Sequence, residues 1–215
     1  MIPLLHDFAG TTVLVVGGGR VGARKARRFA REARVVVVSP EFADADFGGA
    51  ELVRAELAPE TAADWLERVD PSLVVAATDD GDLNAAVCEA AREAGALRNR
   101  TDAHGERDPG SVVVPATARD GDVTVAVATG GKSPALSRRL RRRFEDELEG
   151  AGAMADLTAD LRERLQREGV APAERRAAVR AVVQSSRVWK GLRTGTPNPR
   201  REAEVVLADA LADDT

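Results

Sequence analysis

Three glycines near the start of the chain have a spacing suited to binding a diphosphate. Gly17, Gly19 and Gly22 form the pattern G-x-G-x-x-G. In this pattern the glycines permit a tight turn, a close approach of the backbone to a pyrophosphate and close packing of the following helix. The free amides at the N-terminus of that helix then face the diphosphate. The same spacing also suits a purely structural glycine turn, so the flanking elements must decide between the two.

The flanking elements favour the dinucleotide interpretation. Thr12–Val16 is a short β-branched run that ends at the glycines, as a buried parallel strand does. From Val21 to Ala33 apolar residues recur at steps of three and four, which predicts an amphipathic helix. Further strands are predicted at 35–38 and 73–77, and a further helix at 83–94. Alternating strands and helices predict an α/β fold with a Rossmann-like, doubly wound parallel sheet.

The pattern changes after about residue 110. Ser111–Val114 and Val123–Val127 are predicted strands joined by a turn at Arg119-Asp120-Gly121. Ser133-Pro134 has the form of a helix N-cap followed by a first-turn proline, and this helix should run to about Leu148. From Met154 onward the chain is rich in alanine, arginine and acids, which predicts helices interrupted near Gly169 and at 194–197. We therefore expect a nucleotide-binding domain over 1–110, a small α+β dimerisation segment over 111–150 and a helical domain over 151–215.

Polar residues follow two of the predicted strands. Dinucleotide sites usually carry an acid at the end of the second strand to bind the ribose hydroxyls, but this chain has Ser39-Pro40 there, with Glu41 next. Ser39 can bind ribose, and no arginine follows it directly to favour a 2′-phosphate, so we predict NAD rather than NADP. Ala77-Thr78-Asp79 follows a later strand, where small residues let a cofactor lie close. The structural alternative is that Thr78, Asp79 and Asp80 merely cap the next helix, which explains the two aspartates equally well.

Composition excludes several functional classes. A net charge of −4 argues against general nucleic-acid binding, which requires a basic surface. The single cysteine, Cys88, rules out an internal disulfide, and the two histidines and scattered acids show no metal-ligand spacing. No apolar stretch is long enough to span a bilayer and the N-terminus has no signal pattern, so we expect a cytoplasmic protein without a preformed metal site and without membrane binding.

Taken together, the motifs resemble a known enzyme family. The ordered set closely resembles the precorrin-2 dehydrogenase and sirohydrochlorin ferrochelatase family, including the N-terminal module of siroheme synthases, over roughly residues 1–150. The residues that carry the resemblance are Gly17-Gly18-Gly19-Arg20-Val21-Gly22 with Arg24-Lys25, Ala76-Ala77-Thr78-Asp79-Asp80 with Asn84, Asn99 with Asp102, Pro115, and Thr129-Gly130-Gly131-Lys132-Ser133-Pro134.

The resemblance implies a reaction and a catalytic residue. It implies oxidation of precorrin-2 to sirohydrochlorin with NAD+, insertion of Fe2+ to give siroheme in some members, and a homodimer. Asp102 lies where the family places its catalytic aspartate, and a carboxylate there would serve as a base in both steps. An Asx turn at 101–103 is the structural alternative. The sequence departs from the family at Arg100 and Thr101, where apolar residues are usual, and His104 near Asp102 is either a proton-transfer aid or plain surface.

The expected ligand contacts divide into two groups. The expected cofactor contacts are Gly17, Gly19, Arg20, Val21, Gly22, Ser39, Pro40, Ala77, Thr78 and Asp79. The 129–134 turn could hold an anion at a helix N-terminus, such as a tetrapyrrole carboxylate, although a helix cap alone explains Ser133-Pro134. The expected substrate contacts are Thr129, Gly130, Lys132, Ser133 and Arg138.

Two other functions compete with this interpretation. A non-catalytic NAD-sensing regulatory module shares the first strand and helix, but it usually has an acid after the second strand and does not account for Asp102. A reductase that feeds the start of tetrapyrrole synthesis uses a cysteine nucleophile ahead of its nucleotide domain, whereas Cys88 lies on a predicted helix. Turnover with a macrocyclic substrate would separate the three.

Overall fold

A computed structural model describes residues 2–102 and 109–212 of the chain. The chain forms two compact units, residues 1–114 and residues 115–215. Residues 103–108 lie outside the described residues, and these include His104 and the last residue of the Asx turn considered at 101–103.

The first unit is built on a five-stranded parallel sheet in the order β3-β2-β1-β4-β5. Its strands are β1 Thr12–Val16, β2 Arg34–Ser39, β3 Glu51–Arg54, β4 Leu73–Ala76 and β5 Leu97–Arg100. The central strands are almost wholly apolar because helices cover both faces of the sheet. The strand order reverses beside β1, which is where ligands bind in open sheets of this kind.

Three helices cover the two faces of this sheet. They are α1 Arg20–Phe29, α2 Ala62–Val69 and α3 Gly81–Glu93, with a short 3₁₀ turn at Pro59–Thr61 before α2. Alternate residues of β1 divide between the two faces, so that Val13 and Val15 pack with α1 and Leu14 and Val16 pack with α2 and α3. The predicted Rossmann-like fold is confirmed.

The second unit contains a β-hairpin and five helices. Its elements are β6 Ala116–Asp120, β7 Val123–Val127, α4 Pro134–Glu147, α5 Ala151–Arg167, α6 Pro172–Gln184, α7 Ser186–Thr194 and α8 Pro199–Ala212. A stripe on α5 at three- and four-residue steps, Met154, Leu157, Leu161 and Leu165, is buried against α6, α7 and α8. No helix of the described residues has both the length and the apolar character that crossing a membrane demands.

Several boundaries differ from those predicted. The first helix ends at Phe29 rather than Ala33. The predicted strand at Ser111–Val114 is wrong, because this segment makes one isolated bridge, Ser111 with Arg98, and Val112 packs into the core of the first unit. The strand of the hairpin instead begins at Ala116 and includes Arg119 and Asp120, which the sequence placed in the turn.

Candidate active site

The glycine turn between β1 and α1 lies against the segment that follows β4. Gly17 adopts φ +117°, which favours glycine, and a Cβ there would lie 2.7 Å from the carbonyl carbon of Ala77. Gly18 is equally constrained, since a Cβ would lie 2.9 Å from Cβ of Ser39. Sequence reasoning treated Gly18 as a variable position of the motif, but the structure shows that a third adjacent glycine is needed there.

The remaining two glycines of the motif have different surroundings. A Cβ on Gly22 would lie 3.0 Å from the carbonyl carbon of Gly17, so this glycine permits α1 to pack closely on the turn. Gly19 is the N-cap of α1, and apart from its chain neighbours no described atom lies within 4 Å of the position of a Cβ. Gly19 therefore faces open space beside the first amides of a helix, whose N–H groups lack intrahelical acceptors. Arg20 and Val21 follow it and are exposed. This open glycine cradle fits the diphosphate of a dinucleotide.

Ser39 ends β2 beside the glycine turn. Ser39 is 8% exposed. The amide of Ala43 donates to the carbonyl of Gly18 at 2.8 Å, and this hydrogen bond holds the loop after β2 against the glycine turn. Arg54 ends the neighbouring strand β3 in register with Ser39. Its Nη1 donates to the carbonyl of Pro40 at 2.9 Å. Sequence reasoning missed Arg54 because it did not predict β3, whose run Glu51–Arg54 has only two adjacent apolar residues between two charged ones.

A buried amide organises the segment after β4. Asn84 on α3 is fully buried, and its Oδ1 accepts from the amide of Thr78 at 3.2 Å and from the Thr78 hydroxyl at 2.8 Å. Its Nδ2 donates to the Thr78 carbonyl at 3.0 Å. Asp80 caps α3 by accepting from the amides of Asp82 and Leu83. The capping alternative is therefore confirmed for Asp80, while Asn84 holds Thr78 in place near the glycine turn.

Asp102 lies just beyond β5 and is paired with an arginine. Nε of Arg100 donates to Oδ1 of Asp102 at 2.8 Å, and Nη2 donates to Oδ2 at 3.0 Å. The hydrogen bonds from Arg100 hold the pKa of the Asp102 carboxyl below its usual value, burial opposes them, and a hydrogen bond from Asn84 lowers the pKa further. Asp102 is therefore a carboxylate at neutral pH and can act as a hydrogen-bond or proton acceptor.

The strand that precedes Asp102 is fixed by a second polar chain of contacts. Nζ of Lys25 on α1 donates to Oδ1 of Asn99 at 2.8 Å, and Nδ2 of Asn99 donates to the carbonyl of Val112 at 2.8 Å. Asn99 is 5% exposed. The residues Lys25, Asn99 and Asn84, which the sequence resemblance singled out, thus hold the elements around the site together.

The 129–134 turn lies in the second unit. Gly130 and Gly131 have φ of +62° and +82°, and the Thr129 hydroxyl donates to the Ser133 carbonyl at 3.1 Å. Oγ of Ser133 accepts from the amide of Leu136 at 3.2 Å, which confirms the predicted N-cap. Lys132 and Arg138 are exposed. The turn leads directly into the N-terminus of α4. Lys132 lies in the turn, and Arg138 lies in the second turn of the helix.

No group of three or more histidine, cysteine, aspartate or glutamate side chains suited to a metal ion occurs among residues 2–102 and 109–212.

Comparison with known proteins gives a consistent set of matches. A family model described as putative NAD(P)-binding matches residues 4–116, and one described as the central part of sirohaem biosynthesis proteins matches residues 120–147. The precorrin-2 dehydrogenase of Methanosarcina barkeri is 30% identical, with 98% of this chain and 95% of that protein covered. The siroheme synthase of Stutzerimonas stutzeri is 34% identical over 98% of this chain and 44% of that protein. The chain therefore spans less than half of that siroheme synthase.

The fold also matches a solved structure. SirC, a precorrin-2 dehydrogenase, superposes with a TM-score of 0.70 at 21% sequence identity, covering 97% of this chain and all of that one. The agreement extends over both units of the chain, so the helical second unit belongs to the shared fold.

Proposed function

This chain belongs to the family of precorrin-2 dehydrogenases and siroheme synthases, and we propose that it oxidises precorrin-2 to sirohydrochlorin with NAD+ as the hydride acceptor. The family membership makes it a nicotinamide-dependent oxidoreductase of siroheme biosynthesis. The observation that carries the proposal is the placement of Asp102 at the same sheet edge as the glycine cradle.

The register of the sheet explains this placement. Val16 of β1 is paired with Ala76 of β4, which is paired with Arg100 of β5. The three segments that follow these strands are the glycine turn, the Thr78 segment and the segment that carries Asp102. Because carboxyl ends of parallel strands meet at one edge, a cofactor held by the cradle and a substrate reacting with it would lie beside the carboxylate.

The chemistry assigns a role to Asp102. Conversion of precorrin-2 to sirohydrochlorin removes one hydride and one proton. NAD+, when bound, supplies the hydride acceptor, and the Asp102 carboxylate accepts the proton. Asp102 is ionised at neutral pH and is therefore in the form that can accept a proton, while the lowered pKa makes it a weaker base than an unpaired aspartate. Thr78, held by Asn84, would line the cofactor site between the cradle and the base.

The choice of NAD rather than NADP rests on the ribose end of the cradle. Ser39 presents a hydroxyl at the end of β2, suited to a ribose hydroxyl. Arg54, the nearby cation, already donates to the carbonyl of Pro40 and lies over the ring of Phe42, 5.7 Å from its centroid. These contacts hold Arg54 against the loop that follows β2, and the Ser39 hydroxyl is the feature that supports NAD.

The second unit supplies the proposed substrate and partner contacts. Thr129, Gly130, Lys132, Ser133 and Arg138 form or flank a helix N-terminus, and such a site suits the carboxylates at the rim of a tetrapyrrole. Every residue of α4 is at least partly exposed, and Leu136 and Phe144 are 45% and 36% exposed. These two exposed apolar side chains support a homodimer in which the partner covers them.

Anaerobic turnover of precorrin-2 with NAD+ tests the proposal. We expect NADH and sirohydrochlorin to form in equal amounts, and Asp102→Ala to lower kcat by about 10²–10⁴-fold, the usual contribution of a positioned base. Asp82→Ala, which removes an exposed carboxylate from the first turn of α3, is the matched control and should keep wild-type turnover. Binding of NAD+ without turnover would instead indicate a regulatory module. Adding Fe2+ after the first step tests iron insertion in the same sample.

A further inference from the structure

Asp102 is held by two separate hydrogen bonds from one guanidinium, and we propose that Arg100 is a positioning residue that fixes the orientation of this carboxylate and sets the pH range over which it accepts a proton. The inference rests on the proposed function, in which Asp102 is the base.

The geometry of the pair is that of a two-point clamp. Both oxygens of Asp102 accept from Arg100, at 2.8 Å and 3.0 Å, which fixes the plane of the carboxylate as well as its position. Nη2 of Arg100 also donates to the carbonyl of Gly81 at 3.0 Å. The guanidinium is thereby anchored to the start of α3, and the carboxylate cannot rotate without breaking at least one of these bonds.

The backbone between the two residues is fixed as well. The amide of Thr101 donates to the carbonyl of Ala76 at 3.0 Å, which extends the pairing of β5 with β4 by one residue. The side chains of Arg100 and Asp102 are 34% and 33% exposed, so the clamp lies at the rim of the site, where a substrate can reach it. An exposed pair of this kind adds little to stability, which makes a purely structural role a poor explanation for it.

In the part of the chain that the structure describes, few charged groups face Asp102. Among the described residues, Arg100 is the cation that lowers the pKa of this carboxyl, and its hydrogen bonds are the largest contribution. From α3, Asn84 contributes a neutral hydrogen bond, and the acidic residues of the first turn and cap of that helix are Asp80 and Asp82. Removing the Arg100 guanidinium removes the largest influence that lowers the pKa, and it leaves burial, which raises the pKa of a carboxyl, opposed by hydrogen bonds from Asn84 and the Asp102 backbone.

The clamp has two separable consequences for catalysis. The first is that the carboxylate stays ionised to lower pH, so the acid limb of the pH profile lies lower than it would without Arg100. The second is orientation, because a misdirected base lowers kcat without weakening substrate binding. A substrate-binding arginine would behave differently, since its loss would raise KM and leave the acid limb in place.

Three variants test the clamp. Arg100→Leu should lower kcat about tenfold, leave KM within about twofold and move the acid limb of kcat/KM to higher pH. Arg100→Lys keeps the charge but loses the two-point hydrogen bonding, so it should lower kcat as well and place the acid limb between those of the wild type and Arg100→Leu. Arg92→Leu is the matched control, because Arg92 makes a similar two-point pair with Glu89 on an exposed face of α3, and it should change none of these quantities.

Carboxyl NMR of Asp102, assigned by comparison with Asp102→Asn, gives a readout that does not depend on turnover. The titration midpoint of Asp102 should be higher in Arg100→Leu than in the wild type and unchanged in Arg92→Leu. The proposed role of Arg100 would be refuted if Arg100→Leu only raised KM, or if the NMR midpoints of Asp102 coincided in Arg100→Leu and the wild type. If the midpoint moves as expected but the wild type does not oxidise precorrin-2, the proposed function fails and the clamp stands.

Discussion

Two glycines of the same motif should respond to alanine in opposite ways. Gly22 packs against the backbone of Gly17, whereas Gly19 faces open space at the start of α1. If the motif is a dinucleotide cradle, Gly22→Ala should destabilise the fold, and Gly19→Ala should leave the fold intact but weaken cofactor binding. If the motif is only a structural turn, Gly19→Ala should have no effect on either quantity.

The magnitudes follow from the surroundings of each residue. A Cβ on Gly22 would lie 3.0 Å from the carbonyl carbon of Gly17, and such overpacking costs about 1–3 kcal/mol. Alanine in a helix regains up to about 1 kcal/mol, so we expect a net loss of about 1–2 kcal/mol in the free energy of unfolding. Gly19 has φ −73° and ψ −179°, which alanine adopts freely, so its replacement should cost about 1 kcal/mol or less as a poorer N-cap.

Cofactor binding separates the two variants further. A methyl group on Gly19 would occupy the space in which the diphosphate approaches the helix N-terminus, so we expect the Kd for NAD+ to rise at least about tenfold, or about 1.4 kcal/mol. Calorimetric titration with NAD+ and urea unfolding without cofactor measure the two effects independently. Wild-type affinity in Gly19→Ala would refute the cradle, and wild-type stability in Gly22→Ala would refute the packing argument.

Three further predictions address the surrounding network. Asn84→Ala should lower the free energy of unfolding by about 1–3 kcal/mol in urea, because it removes the three hydrogen bonds between a fully buried amide side chain and Thr78, and an unchanged unfolding midpoint would contradict this. Arg54→Leu should change the Kd for NAD+ less than about threefold. The choice of NAD would be contradicted if the wild type bound NADP+ more tightly than NAD+ and Arg54→Leu abolished this preference. Hydrogen bonds from Arg164 lower the pKa of Glu204, so the pair stabilises the second unit above the unfolded-state pKa and loses this effect as the pH falls through the folded-state pKa. Because both side chains are substantially exposed, Glu204→Gln should lower the free energy of unfolding by less than about 1 kcal/mol at neutral pH. It should also flatten the acid limb of stability against pH. Equal pH dependence of stability in the variant and the wild type would contradict this.

Features that depend on residues a few positions apart were predictable from the sequence. Local hydrogen bonding and backbone freedom predict the tight turn at Gly17, the Ser133 cap of α4 and the helix interruption near Gly169. The structure confirms these three features. The alternation of apolar strands and amphipathic helices likewise predicted the parallel sheet, because burial on both faces requires that pattern. The ordered set of motifs was enough to indicate the family.

Features that depend on pairing between distant segments were not predictable in the same way. β3 is an edge strand with exposed residues, so its sequence lacks the apolar run that marks a buried strand, and Arg54 was missed with it. Ser111–Val114 has strand-like residues but lies against Arg98 and the first core instead of pairing in the hairpin. Local propensity cannot distinguish these outcomes, because the partner decides which segment becomes a strand.

The sequence by itself determined the nucleotide-binding fold through residue types at fixed spacings, and its resemblance to a known family pointed to Asp102. Only the tertiary structure decided what surrounds that carboxylate. The register of β4 with β5 and the position of α3 bring Gly81 and Asn84 to the pair formed by Arg100 and Asp102. The proton affinity of a side chain depends on the charges and hydrogen bonds around it in space, and these are set by packing between segments that are far apart in the chain.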